Sequence, residues 1–212
     1  MAILYASATE FKDRMGIEDS ARDMAVGRIL EAASRWVEGV LGRRFYATAA
    51  DEVRIYSLSW KDNGWEFYPP DDILTLTSLE TDADGNGVFE NTWVLGTDYY
   101  LEPSNAALDG RPYTKITKSF YAGRYYFPSY QNAIRLTGKF SYCSLANCPP
   151  EIRELTMMVA ESDALPILDL SMPGVQNYKL GNEVSVTISG RRMPQRAEQI
   201  IDLYRKGNGY IT

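Results

Sequence analysis

The chain has 212 residues, 45% of them apolar and 24% charged, which is the balance of an ordinary globular protein with one large domain or two small ones. It contains no histidine, which excludes Ser-His-Asp and Cys-His nucleophiles, HExxH metalloproteases and histidine-ligated zinc in one step. A net charge of −6 argues against a protein that lives by gripping phosphate backbones.

The opening stretch MAILYASATE lacks a basic segment and meets Glu10 too early for a signal peptide. No apolar run approaches the roughly 20 residues of a membrane helix, so a soluble intracellular chain without a membrane partner is expected. Ser7 and Glu10 stand at capping-box spacing and predict a short helix through Phe11 and Met15, closed at Gly16. A longer helix is expected from Asp19 or Ser20. Its apolar positions Val26, Ile29, Leu30, Ala33, Val37, Val40 and Leu41 follow helical spacing, with Arg22, Arg28, Glu31, Arg35 and Glu38 opposite and Gly42 at its end.

From Asp51 the period changes to two. Residues 51–58, Ile73–Leu79, Val88–Val94, Tyr99–Leu101, Lys115–Lys118 and Ala133–Phe140 read as strands. Turn signals separate them at Asp62-Asn63-Gly64, Pro69-Pro70, Asp84–Gly87, Asp109-Gly110 and Gly138. Residues 51–148 hold eight basic against thirteen acidic residues, and so carry nearly all of the acidity. Cys143 and Cys148 are too few for a disulfide scaffold or a four-cysteine zinc site. Free thiols in a reducing compartment are the simpler reading, and a local bridge is the alternative.

Pro149-Pro150 opens another long helix, with Glu151 and Glu154 at its positive end and Pro166 as its expected stop. Ile152, Leu155, Val159 and Ser162 share one face, which predicts packing on the N-terminal helix. A tail follows, with a short strand at Glu183–Ile188 and a helix from Pro194 to Lys206 ended by Gly207. The predicted fold is therefore α+β. It comprises a small helical bundle from residues 1–50 and 149–170, an antiparallel β-rich insertion at 51–148, and an extended C-terminal tail at 171–212 that ends in a helix.

Four groups of residues bear on chemistry. Asp82, Asp84 and Asn86 begin a D-x-D-x-N-G calcium pattern, in which alternating oxygens converge on one cation. The twelfth position is Trp93 instead of a bidentate Glu, and Glu90 falls at the ninth, so an Asp/Asn/Gly turn is the stronger reading over a weak surface cation site. Asp71-Asp72, Asp51-Glu52 and Glu151/Glu154 are the paired carboxylates, but they stand where caps and solvated edges stand. No phosphate loop, dinucleotide fingerprint or nucleophile elbow is present, and neither an enzyme nor a cofactor or resident metal is expected.

Phe120, Tyr121, Arg124, Tyr125, Tyr126, Phe127 and Tyr130 form an aromatic cluster that suits packing or a protein interface, with single-stranded nucleic acid as the weaker alternative. Arg191, Arg192, Arg196, Arg205 and Lys206 either solvate the last helix or dock an acidic partner beside Ile200, Ile201 and Tyr204.

The order of these parts resembles the head–tail connector, or adaptor, proteins of long-tailed bacteriophages and gene-transfer particles. The resemblance runs from the helix Ala21–Leu41 and Leu-Gly-Arg-Arg-Phe45 through Ile73–Leu79, the Asp82–Gly87 turn, Asp98–Leu101 and Pro103–Ala106. It continues in Ile134–Gly138, Pro149–Ile152, Tyr178–Thr187 and Tyr204-Arg-Lys206. It implies a structural virion protein, assembled in the host cytoplasm into a ring of identical subunits, twelve in the usual case. Such a ring sits under the portal protein, meets a stopper or tail-terminator protein, and lets DNA pass without sequence-specific binding. The helical part would form the ring body. The tail would dock on the portal through Arg191, Arg192, Arg196, Ile200, Ile201, Tyr204, Arg205 and Lys206. The alternative is a cation-binding β interaction module built on Asp82, Asp84 and Asn86; a hydrolase comes third.

Overall fold

The computed structural model describes residues 3–167 and 194–206. The chain divides into two compact units, Met1–Gly42 with Pro149–Thr212, and Arg43–Cys148. In the helical unit, α1 (Ala8–Met15) opens on the predicted capping box. The Ser7 hydroxyl accepts from the Glu10 amide at 3.1 Å, and the Glu10 carboxylate accepts in return from the Ser7 amide. Gly16 closes the helix at a φ of +65°, a left-handed conformation that glycine adopts without a Cβ penalty.

Helix α2 (Asp23–Leu41) starts later than its polar run suggested, because the Asp19 carboxylate accepts from the Arg22 amide at 3.2 Å and holds that stretch as a turn. Val26, Ile29, Leu30, Ala33, Val37 and Leu41 are buried, while Val40 is half-buried. Ser34 takes a core position by donating its hydroxyl to the Leu30 carbonyl at 2.7 Å. Helix α3 (Pro150–Ile167) runs one residue past Pro166 and packs on α2 as expected, with Ile152 and Leu155 of the predicted face fully buried and Val159 packed against the helical core. Val159 and Ser162 are half-buried, whereas Ile152, Thr156, Ala160 and Ala164 form a buried ridge at every fourth residue. Its small side chains let a neighbouring helix approach closely, yet alanine offers too little apolar contrast to reveal the ridge as a periodicity. Helix α4 (Gln195–Tyr204) packs on α2 and α3 through Ala197, Ile200 and Ile201. The strand expected at 183–188 and the stop at Gly207 lie outside the described residues.

The second unit holds seven strands. In one antiparallel sheet the order is β1 (Glu52–Tyr56), β7 (Ile134–Phe140), β3 (Ile73–Thr81) and β4 (Asn91–Trp93). In the other it is β2 (Glu66–Phe67), β6 (Lys115–Lys118) and β5 (Tyr99–Glu102). Both sheets contribute to one core, in which Phe67, Ile73, Leu79, Trp93, Ile116, Leu136 and Phe140 are buried. Strand β2 is too short for an alternation test to detect, and β4 begins only at Asn91. Gly138, expected as a turn, stands instead inside β7 between Glu52 and Leu76. A Cβ there would lie 2.2 Å from the Thr75 carbonyl oxygen, where β3 bulges against it.

The boundary between the units falls after Gly42, not after Ala50. The Arg44 carbonyl accepts from the Tyr142 amide at 2.7 Å, and the buried Phe45 ring packs on Tyr142 at 5.3 Å, so the segment before β1 belongs to the β unit. Cys143 and Cys148 are not joined in a disulfide. A hydrogen bond with Cys148 and burial together raise the pKa of Cys143.

Candidate functional site

Among the described residues, the carboxylates of Asp82, Asp84 and Glu90 bring one oxygen each within 4.8 Å of one another. The loop that carries them joins β3 to β4, so strands flank it on both sides. Asp82 is buried, and its carboxylate accepts from the amides of Gly85 and Gly87 at 2.7 Å and of Asn86 at 3.3 Å. Burial alone would raise this carboxyl, but the converging amides outweigh it and hold it below the ordinary carboxylate range. Asp84 accepts from Asn86, whose own side-chain oxygen accepts from the Val88 amide, and Glu90 accepts from the Ala83 amide at 2.8 Å. Trp93, at the place of the missing bidentate ligand, is buried and donates to Thr81 at 2.9 Å. The acidic loop thus turns its oxygens inward onto its own backbone, as an Asx-type turn does.

The paired carboxylates are engaged in the same structural manner. Glu52 accepts from Arg44 and from Arg54, each at 2.6 Å, and Arg54 reaches Asp71 at 2.6 Å while lying over the Phe140 ring. Tyr56 donates to Asp71 at 2.8 Å. Burial would raise Glu52, but Arg54, Arg44 and Thr48 bring it down to about 2. Asp51 accepts from Thr77, the buried Asp72 pairs with Arg43 at 3.4 Å, Glu154 pairs with Arg14 at 2.9 Å, and Glu151 accepts from Tyr204 at 3.3 Å.

The C-terminal residues separate into two kinds. Ile200 and Ile201 are 5% and 7% exposed, and Tyr204 is held by Glu151, so these three face into the helical unit. The Lys206 amide donates to the Leu41 carbonyl at 2.8 Å, which ties the end of α4 back onto α2. Arg196, Leu203 and Arg205 are exposed; Leu203 carries no sequence signal that marks it out. Arg191 and Arg192 lie outside the described residues.

The aromatic cluster also divides. Phe127 is stacked on Trp93 at 4.7 Å, and Tyr125 packs beside it at 5.7 Å from Trp93. Phe127 belongs to the core, and the half-buried Tyr125 packs against it. Phe120, Tyr121, Tyr126 and Tyr130 stay at the surface, where Phe120 and Tyr126 join Trp65 at 6.0 and 5.3 Å. The loop is pinned by Asp98, a fully buried carboxylate that accepts from the Val94 amide at 3.0 Å and from Arg124. Gly123 closes the pin: a Cβ there would lie 2.7 Å from the Ser119 carbonyl oxygen and 2.9 Å from that of Asp98.

No family model and no curated protein matches this sequence. Solved structures share its fold. One is a chain from the neck of an empty gene transfer agent particle, computed with C6 symmetry, at a TM-score of 0.55 and 18% identity over 96% of this chain and 89% of that one. Another comes from the neck of a native particle computed with C12 symmetry, at a TM-score of 0.51 and 17% identity over 93% of this chain and 87% of that one. A third, from the virion of the native particle, gives 0.53 and 17% over 95% and 89%. The fold is one found in the necks of gene transfer agent particles. No described helix of this chain is long and apolar enough to cross a membrane.

Proposed function

We propose that this chain is a structural protein of a virion neck, a connector subunit that forms a ring between the portal vertex and the stopper or tail. The observation that carries the reading is the match of nearly the whole chain, helices and β insertion together, to neck chains solved in sixfold and twelvefold symmetry. Charge agrees with it. DNA must slide through such a channel without sticking, and a chain of net charge −6 repels phosphates. Assembly on a preformed portal also suits a modest subunit interface, since the portal raises the effective concentration of neighbouring copies. In this reading Arg196 and Arg205, with Arg191 and Arg192 ahead of them, contact the portal, while Ile200, Ile201 and Tyr204 hold α4 in the helical unit. The cation-module alternative is not preferred, because the oxygens of the Asp82 loop are already taken by loop amides.

Native mass of the full chain, measured with and without the portal ring encoded near its gene, tests the proposal. The expected result is a complex with one copy of this chain per portal subunit. A portal ring that leaves the chain unbound overturns it.

A further inference from the structure

Lys118, in β6, is only 5% exposed, yet among the described residues no carboxylate or carbonyl meets its ammonium. Its Nζ lies instead 4.2 Å from the Trp65 ring centre and 4.1 Å from that of Tyr126, two rings set at 89° to each other. Lys115, three residues earlier on the same strand, shows the ordinary arrangement, with Glu66 at 3.0 Å and Glu102 at 2.7 Å. Around Lys118 the surface is aromatic: Trp65 and Tyr126 are partly open to solvent, and Phe120 is 75% exposed. A largely covered lysine whose ammonium meets no anion, ringed by exposed aromatic surface, is a socket for a carboxylate carried beside an apolar side chain.

The same unit presents such a pair. The loop between β5 and β6 carries Leu108, 87% exposed, followed by Asp109, whose carboxylate makes no hydrogen bond or ion pair among the described residues. The loop is held in shape from within. The amides of Leu108 and Asp109 both donate to the Asn105 carbonyl at 3.0 Å, the Arg111 amide donates to Ala106 at 2.8 Å, and Gly110 turns the chain at a φ of +64°. Strand register then decides the geometry. Tyr99 pairs with Lys118 and Glu102 with Lys115, so the socket is at one end of the β5–β6 hairpin and the knob extends from the other. Three residues of strand, about 10 Å, separate the two ends.

We propose that the Leu108–Asp109 knob of one copy seats in the Lys118 socket of the next, with Asp109 meeting the ammonium and Leu108 covering Trp65 and Phe120. Two different patches at opposite ends of one hairpin make a head-to-tail contact, the kind that closes into a ring when the rotation permits. The unit's acidic surface favours this pairing, because repulsion between copies is relieved where an acid meets a lone cation. The inference rests on the ring reading above and names the contact between neighbours in it.

The test uses the full chain with p-benzoylphenylalanine at position 120, assembled with the portal ring and irradiated. The expected product is a ladder of two or more chain masses, with the linked peptide inside residues 103–111. Asp109→Lys should cut the ladder at least tenfold, and adding Lys118→Glu in the same chain should restore it. Asp109 is exposed, so the single variant decides the matter if the double variant fails to fold. A complete ring by native mass whose crosslinks fall elsewhere in the chain, or on the portal, or survive Asp109→Lys, overturns the contact and leaves the ring standing. No ring and no ladder overturns both.

Discussion

Glu52 lies between two guanidinium groups, and its acidity records what that position is worth. Burial opposes its charge, yet Arg54 and Arg44 bring its pKa from 4.5 to about 2. A carboxyl depressed in the folded state contributes stability that is complete above its unfolded value and is lost as pH falls through the folded one. The window here is pH 4.5 down to 2. Glu52 is three-quarters covered, so the contribution at neutral pH is on the order of 2 kcal/mol after allowing for solvent screening. Melting curves from pH 7 to 2 should show a steep loss of thermal midpoint below pH 4.5 in the native protein. Glu52→Gln should begin lower at pH 7 and lose less on acidification. Parallel acid limbs in the two proteins would show that Glu52 is not the group being titrated.

At the scale of elements, the strands and helices most legible in the sequence were those whose pattern is local. The α1 capping box is satisfied within four residues, and the period-two run of Lys115–Lys118 returned its strand to the residue. Elements specified by distant partners were not legible. Strand β2 exists through its pairing with β6, and the buried ridge of α3 is written in alanines that only a facing helix makes meaningful. The Asp82 turn was legible from its glycines. The aromatic cover of Lys118 was not legible, because Trp65 and Tyr126 come to it from segments 53 residues before it and 8 after it. Gly138 gives the sharpest case of a tertiary cause. Its lack of a Cβ serves the bulge of a neighbouring strand 63 residues earlier in the chain. Gly138→Ala must push the Thr75 carbonyl out of the β3–β7 ladder. Overpacking of this kind costs about 1–3 kcal/mol, and the displaced hydrogen bonds add to it. Urea unfolding should show a lower midpoint with an unchanged slope. A midpoint equal to that of the native protein would mean that β3 yields at no cost.

For the whole molecule, the decisive feature is that the β unit has its own closed core and its own closed ends. The core cluster of Tyr56, Phe67, Trp93, Ile116, Leu136 and Phe140 is drawn entirely from residues between Arg43 and Cys148. The chain enters and leaves this unit side by side, with the Tyr142 amide donating to the Arg44 carbonyl and the Cys143 thiol lying 3.6 Å from the Phe45 carbonyl. An insertion with adjacent ends can be added to a helical scaffold without pulling its helices apart, and it can also be removed from one. Residues 43–148 expressed alone are therefore expected to fold, with one cooperative urea transition and the near-ultraviolet dichroism of packed Trp93 and Phe127. A fragment that melts without cooperativity, or lacks that aromatic signal, would mean that the helical unit is needed to complete the β core. The same fragment carries both the Leu108–Asp109 knob and the Lys118 socket. If it folds, the surface proposed to join neighbouring copies belongs to a unit that forms apart from the helices, and ring contacts in the β insertion can evolve without disturbing the helical core.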